Sequence, residues 1–170
     1  SHWGESTIIS EETDTITLAD SKTVWSYFYD SIAPAEDWNT IDFDASDWKT
    51  GKGKFGYKSN VTYDTPLDYG DDSQNKYITA YFRYEFDIED VSQVDFINCE
   101  FLYDDAMVMY VNGVECLRYN IEQGVDTASD YIDDQKVLYA LNSDKLVTGK
   151  NVICVEVHQY NGQSSDLTFK

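Results

Sequence analysis

Only two prolines and three cysteines occur in 170 residues, and no apolar run approaches the roughly 18 residues that a membrane-spanning helix needs. Basic residues are also scarce: 12 Lys and Arg stand against 32 Asp and Glu, for a net charge of −20. Such a chain repels phosphate backbones and anionic lipid surfaces, which sets nucleic acid and membranes aside as partners. The acidity favours solubility, a polar partner or a cation. Cys99, Cys116 and Cys154 each lie in a strand-like apolar run. Their odd number and wide spacing indicate neither a disulfide framework nor a zinc site, so buried free thiols are the default. A Cys99–Cys154 bridge is the one pairing left open.

Helical periodicity of useful length, internal repeats and low-complexity linkers are all missing. Residues 1–14 read as a lead-in, with Ser1-His2 resembling an expression remnant, and 15–170 as one module. Short strand signals and polar loops are present instead. Candidate strands are Thr15–Leu18, Val24–Phe28, 77–88, 94–103, 106–111, Val114–Leu117, Val137–Leu141, Val152–Gln159 and Asp166–Phe169. In 77–88, Phe82, Tyr84, Phe86 and Ile88 share one face, and Tyr81, Arg83, Glu85 and Asp87 the other, the period of a half-buried strand. Asn112-Gly113 between two apolar runs signals a tight hairpin. Short helical turns are expected near Ser31–Ala33 and Ser143–Leu146. A long loop holds Trp38, Phe43 and Trp48 and ends at Gly51, Gly53 and Gly56. This spacing predicts an all-β antiparallel sandwich or jelly roll.

Four blocks of residues carry a resemblance. They are Trp25–Gly56 with Trp38, Phe43-Asp44, Trp48 and Gly53–Tyr57; Tyr69–Asp72 through Thr79–Arg83; Asp104–Ala106, Tyr110–Glu115, Arg118 and Asn120; and Gly149–Ile153, Val155–Gln159 and Ser164–Leu167. Over residues 24–169 the chain resembles the galactose-binding-like β-sandwich modules of large secreted bacterial proteins. That resemblance implies a jelly roll, an extracellular setting and an accessory role beside other domains of the same parent protein. Its usual function is binding carbohydrate, here a plant or bacterial polysaccharide.

Several constellations compete for chemistry. Asp104-Asp105 is the most prominent carboxylate pair, but neighbouring strand residues face opposite ways, which argues against a glycosidase pair. No G-x-S-x-G motif marks a nucleophile, so the chain reads as a binding module and not an enzyme. On the polar face, Arg83 and Glu156 are expected to pair across strands. Arg118, Asn120 and His158 are candidate ligand-binding residues, because a guanidinium, an amide and an imidazole suit vicinal hydroxyls. Tyr69, Tyr119, Tyr160 and Asn161 sit in polar, loop-like contexts, where a ring can stack on a sugar. Trp25, Trp38 and Trp48 read as packing. Asp68, Asp71 and Asp72, with Asp64 and Asn75 nearby, crowd one loop and are the candidate ligands of a structural calcium, with a group near Asp44, Asp47 and Asp166 as the alternative. A structural or protein-interaction module without a sugar ligand is the competing function.

Overall fold

The computed structural model describes residues 17–170 and shows two stacked, mostly antiparallel sheets. The eleven strands are β1 (Val24–Tyr29), β2 (Lys49–Lys52), β3 (Phe55–Tyr57), β4 (Thr65–Pro66), β5 (Thr79–Ile88), β6 (Phe96–Asp104), β7 (Ala106–Val111), β8 (Val114–Tyr119), β9 (Gln135–Asn142), β10 (Gly149–His158) and β11 (Leu167–Phe169). One sheet runs β2-β1-β5-β10-β7-β8, and the other β4-β3-β11-β6-β9. From β5 onward the chain crosses repeatedly between sheets, so each inward-facing stripe meets its counterpart. The all-β sandwich expected from the strand spacing is the observed fold.

Alternation explains the core. Phe82, Phe86 and Ile88 of β5 and Ile153, Val155 and Val157 of β10 face Phe101 and Tyr103 of β6 and Leu167 and Phe169 of β11. Phe169 is fully buried, with ring centroids 4.4 Å from Phe82, 5.4 Å from Trp25 and 6.0 Å from Phe101. Each such side chain removed from water contributes roughly 2–3 kcal/mol. Asn112-Gly113 forms the expected tight turn, with φ of 51° and 86°, and β7 and β8 pair across it.

Three expectations fail. The long aromatic loop contains β2 and runs into β3, both hidden because glycines interrupt their patterns, and β4, only two residues long, follows it unseen. Gly56 lies in β3 at φ 146°, and a Cβ there would stand 1.9 Å from the Leu167 carbonyl oxygen. Only glycine lets β3 approach β11 so closely. Of the predicted Thr15–Leu18 strand, Thr15 and Ile16 lie outside the described residues; Thr17 and Leu18 are irregular. Ser31–Ala33 is a bend, whereas Ser143–Lys145 forms the expected 3₁₀ turn.

The outer face of the six-stranded sheet is a second buried surface. Trp38 packs on Val152 and Cys154 with Ile41, Phe43, Trp48, Tyr81 and Tyr110 around it. Ile121 and Ala128 cover Ala106 and Val108. The three cysteines are free. Cys99 belongs to the core between the sheets and Cys154 to the Trp38 cluster outside it, so the Cys99–Cys154 pairing is corrected: the six-stranded sheet stands between them.

Candidate functional site

The outer face of the six-stranded sheet carries a linked set of polar side chains. In β10, Glu156 and His158 project to the same side, two residues apart. Glu156 Oε1 accepts from the Tyr110 hydroxyl at 3.1 Å, and Glu156 Oε2 lies 2.7 Å from His158 Nε2. His158 Nδ1 lies 2.7 Å from the Asp126 carbonyl oxygen and 3.0 Å from Thr79 Oγ1. Burial raises the Tyr110 hydroxyl, aided by the Glu156 charge. Burial, then Glu156 and Asp126, push the Tyr81 hydroxyl up to about 12. Both phenols therefore stay protonated and act as donors near neutral pH.

Beside this cluster, at the same end of the sheet, a cleft of about 350 Å³ opens between the 30–33 segment and residues 75–81. Asp30, Asn75, Lys76 and Asp126 contribute polar groups to its lining, and Ile32, Tyr77 and Tyr81 contribute apolar walls. Thr79, Tyr81 and Asp126 belong to the cleft and also border the His158–Glu156 pair. Lys76 is held by the Ser73 carbonyl at 2.8 Å and lies 5.0 Å from the Tyr69 ring centroid. Its backbone N–H donates to Gly162 at 2.8 Å, which docks the 160–163 loop beside the cleft.

The predicted site residues separate into two groups. Tyr69, Tyr160 and Asn161 come to the cleft end. Tyr69 is half-buried against Tyr57, 5.0 Å between centroids. Tyr160 is 45% exposed. Asn161 is exposed and accepts from Gln163 N–H. His158 lies under this end, buried. Arg118 and Tyr119 lie on β8, separated from β10 by β7. Arg118 is bound to Glu115 at 2.6 Å, and Tyr119 stacks on Tyr103. Asn120, at φ 58°, donates to the carbonyls of Asp105 and Asp130, which closes the 120–130 loop. Its amide is spent on that structural task.

One further expectation is corrected. Arg83 pairs with Glu85 at 3.0 Å, and the expected Arg83–Glu156 pair does not form. Arg83 is drawn instead to carbonyls of the covering loop, donating to Trp38 and Thr40. Asp68 and Asp72 are exposed and accept from Gly70 and Gln74 N–H groups as turn caps. Among the described residues, no three His, Cys, Asp or Glu side chains gather into a metal cage, so Asp68, Asp71 and Asp72 do not converge. The sequence reading placed Asn75 only beside the acidic loop and did not single out Asp30 or Asp126. Each lies in an irregular segment, where periodicity carries no signal.

No protein-family model matches the chain, and neither does any curated protein. Solved structures do. A β-glycosidase from Bacteroides vulgatus is matched with a TM-score of 0.50 and 17% identity, over 86% of this chain and 19% of the glycosidase. What they share is the fold. A glycosyl hydrolase family 2 member from Bacteroides cellulosilyticus gives 0.49 and 15%, over 88% of this chain and 20% of that one. A β-glucuronidase from glycoside hydrolase family 2 gives 0.47 and 17%, over 85% and 15%. The chain thus spans a fifth or less of the length of these matched enzymes. Among the described residues, no helix is long and apolar enough to cross a membrane.

Proposed function

We propose that the chain is a noncatalytic carbohydrate-binding module of a secreted multidomain protein, and that polysaccharide docks at the cleft between the 30–33 segment and residues 75–81. The cleft itself carries this reading. It is concave, with carboxylate and amide groups of Asp30, Asn75 and Asp126 set beside Tyr77 and Tyr81. Hydroxyl-rich ligands need this pairing of fixed polar groups with apolar walls. The likeness of fold to part of a β-glycosidase supports a sugar-related context.

Catalysis has no support from the prominent carboxylate pair. Asp104 and Asp105 are both closed to solvent, so neither can flank a glycosidic bond. Affinity gel electrophoresis against glucans, xylans, mannans and pectins tests the proposal. One class is expected to retard the protein, and Asn75→Ala with Asp126→Ala to abolish the effect. Lack of retardation by every class would refute it.

A specific observation favours a second reading, docking onto a neighbouring domain of the same protein. Phe96 and Leu138 are 53% and 73% exposed on adjoining strands β6 and β9. By alternation both face away from the core, Phe96 beside Asn142 and Leu138 beside Glu100, a mixed surface like those between domains of one chain.

A further inference from the structure

The walls of the cleft carry more acid than base. Asp30 and Asp126 stand in its lining, with Lys76 as the one base among the described residues. The Lys76 ammonium is already engaged. It donates to the Ser73 carbonyl at 2.8 Å and lies 5.0 Å from the Tyr69 ring centroid and 5.9 Å from that of Tyr57, and neither ring belongs to the cleft walls. Asp30 Oδ1 accepts from the N–H and the hydroxyl of its neighbour Ser31, at 2.6 and 3.2 Å. Among the described residues, no cation pairs with Asp30 or Asp126.

Both carboxylates stand on anchored backbone. The Asp126 carbonyl lies 2.7 Å from His158 Nδ1, and Ala128 N–H donates to the Gln159 carbonyl at 3.0 Å, which ties the segment bearing Asp126 to the end of β10. Asp30 follows directly on β1, whose last residue, Tyr29, donates its hydroxyl to the Tyr77 carbonyl at 2.8 Å. The negative field reaches the cleft wall: after burial, Glu156 and Asp126 are what raise the Tyr81 hydroxyl. A ligand seated in the cleft touches its walls, well inside the roughly 8 Å over which physiological salt screens a charge. Fixed charge of one sign then decides which ligands enter more than how tightly a good one binds.

We propose that Asp30 and Asp126 set the charge specificity of the cleft: it takes neutral or amine-bearing polysaccharide and rejects chains that carry uronic acids. This specificity rests on the cleft being the sugar site. A sugar hydroxyl donates to a carboxylate, and an ammonium does so through the stronger, charge-assisted bond. A uronate carboxylate has no proton to donate and meets like charge, with no free base in the lining to offset it. Of glucans, xylans, mannans and pectins, the uronate-rich pectins are therefore the class excluded.

The test uses the whole chain and the polymer that retards it in affinity gels, offered also as its carboxymethyl and aminoethyl derivatives at equal substitution, in about 0.15 M salt. The aminoethyl form is expected to bind at least about tenfold tighter than the carboxymethyl form. Asp30→Asn with Asp126→Asn keeps an acceptor oxygen at each position and removes the charge. It is expected to narrow that ratio to under about threefold while the neutral polymer stays bound within about twofold. Asp87→Asn with Glu89→Gln removes the same charge from exposed positions at the far end of β5 from the cleft, and is expected to leave the ratio intact. Retardation by pectin, an undiminished ratio in the Asp30–Asp126 variant, or a ratio lost equally in the Asp87–Glu89 variant overturns the specificity while sugar binding stands. Silence from every polymer overturns sugar binding at the cleft, and the specificity with it.

Discussion

Arg83 Nη1 donates to the carbonyl oxygen of Trp38 at 2.6 Å, and this bond fastens a loop to the outer face of the six-stranded sheet. The same nitrogen donates to the Thr40 carbonyl at 2.8 Å, and the guanidinium carbon lies 5.3 Å from the Phe43 ring centroid. One planar fork thus replaces several missing main-chain partners. Arg83→Met would leave these carbonyls unpaired and is expected to cost roughly 2–5 kcal/mol. Arg83→Lys recovers only part of this, because a single ammonium cannot span the fork. Urea melts would give the size of the loss, and faster proteolysis within residues 35–48 would show where it acts.

His158 has an acceptor at each ring nitrogen: the Asp126 carbonyl at Nδ1 and Glu156 at Nε2. A neutral imidazole donates only once. The Asp126 carbonyl can only accept, so Nδ1 carries a hydrogen toward it. Glu156→Gln removes the charged acceptor and is expected to cost about 1–3 kcal/mol. Urea melts of this variant beside the parent measure that cost.

The core depends on Phe169. Truncation to alanine removes a ring packed among Phe82, Trp25 and Phe101, with a predicted loss of about 3–5 kcal/mol. Leu138→Ala lies on an exposed face and is expected to change stability by less than about 0.5 kcal/mol. Thermal melts of the two variants compare these costs directly.

Thiol chemistry distinguishes the cysteines. Burial pushes the Cys154 thiol up to about 12 and the Cys99 thiol to about 11. Cys116 is raised too, chiefly by burial, but sits half-buried on the edge strand β8. The thiolate is the reactive form. Alkylation at pH 8 should therefore label Cys116 first, and Cys99 and Cys154 only after denaturation. Peptide mapping after timed labelling is the check.

Asp104 carries a pH signature. Burial, reinforced by Asp105, Asp166 and Asp134, raises its carboxyl above the ordinary 3.8. The folded state then holds a proton that the unfolded state releases. The resulting stability is fully present below the unfolded value and is lost as pH rises toward the folded one. Melting temperature should fall as pH rises from about 5 to about 9. The slope should flatten in Asp104→Asn.

The strands with clear period-two patterns were legible from residue order alone. Phe82, Phe86 and Ile88 face the core because alternate side chains of a strand must point opposite ways. Asn112-Gly113 similarly specified its turn, since few other pairs accept positive φ twice. The opposite face of the same strands was not legible. Arg83, Cys154 and His158 alternate outward, as surface residues do, yet Trp38 and its loop bury that side as well. Alternation states which way a side chain points and says nothing of what lies over it. The strand β3 escaped notice for a related reason: Gly56 has no side chain to show a period, and its place is set by the carbonyl of Leu167, 111 positions later in the sequence. The cleft follows the same logic. Asp30, Asn75 and Asp126 are far apart in the chain and lie in segments without periodicity. Local sequence determined the strands and turns; only the packing of loops over the sheet decided which polar groups meet and which are closed to water.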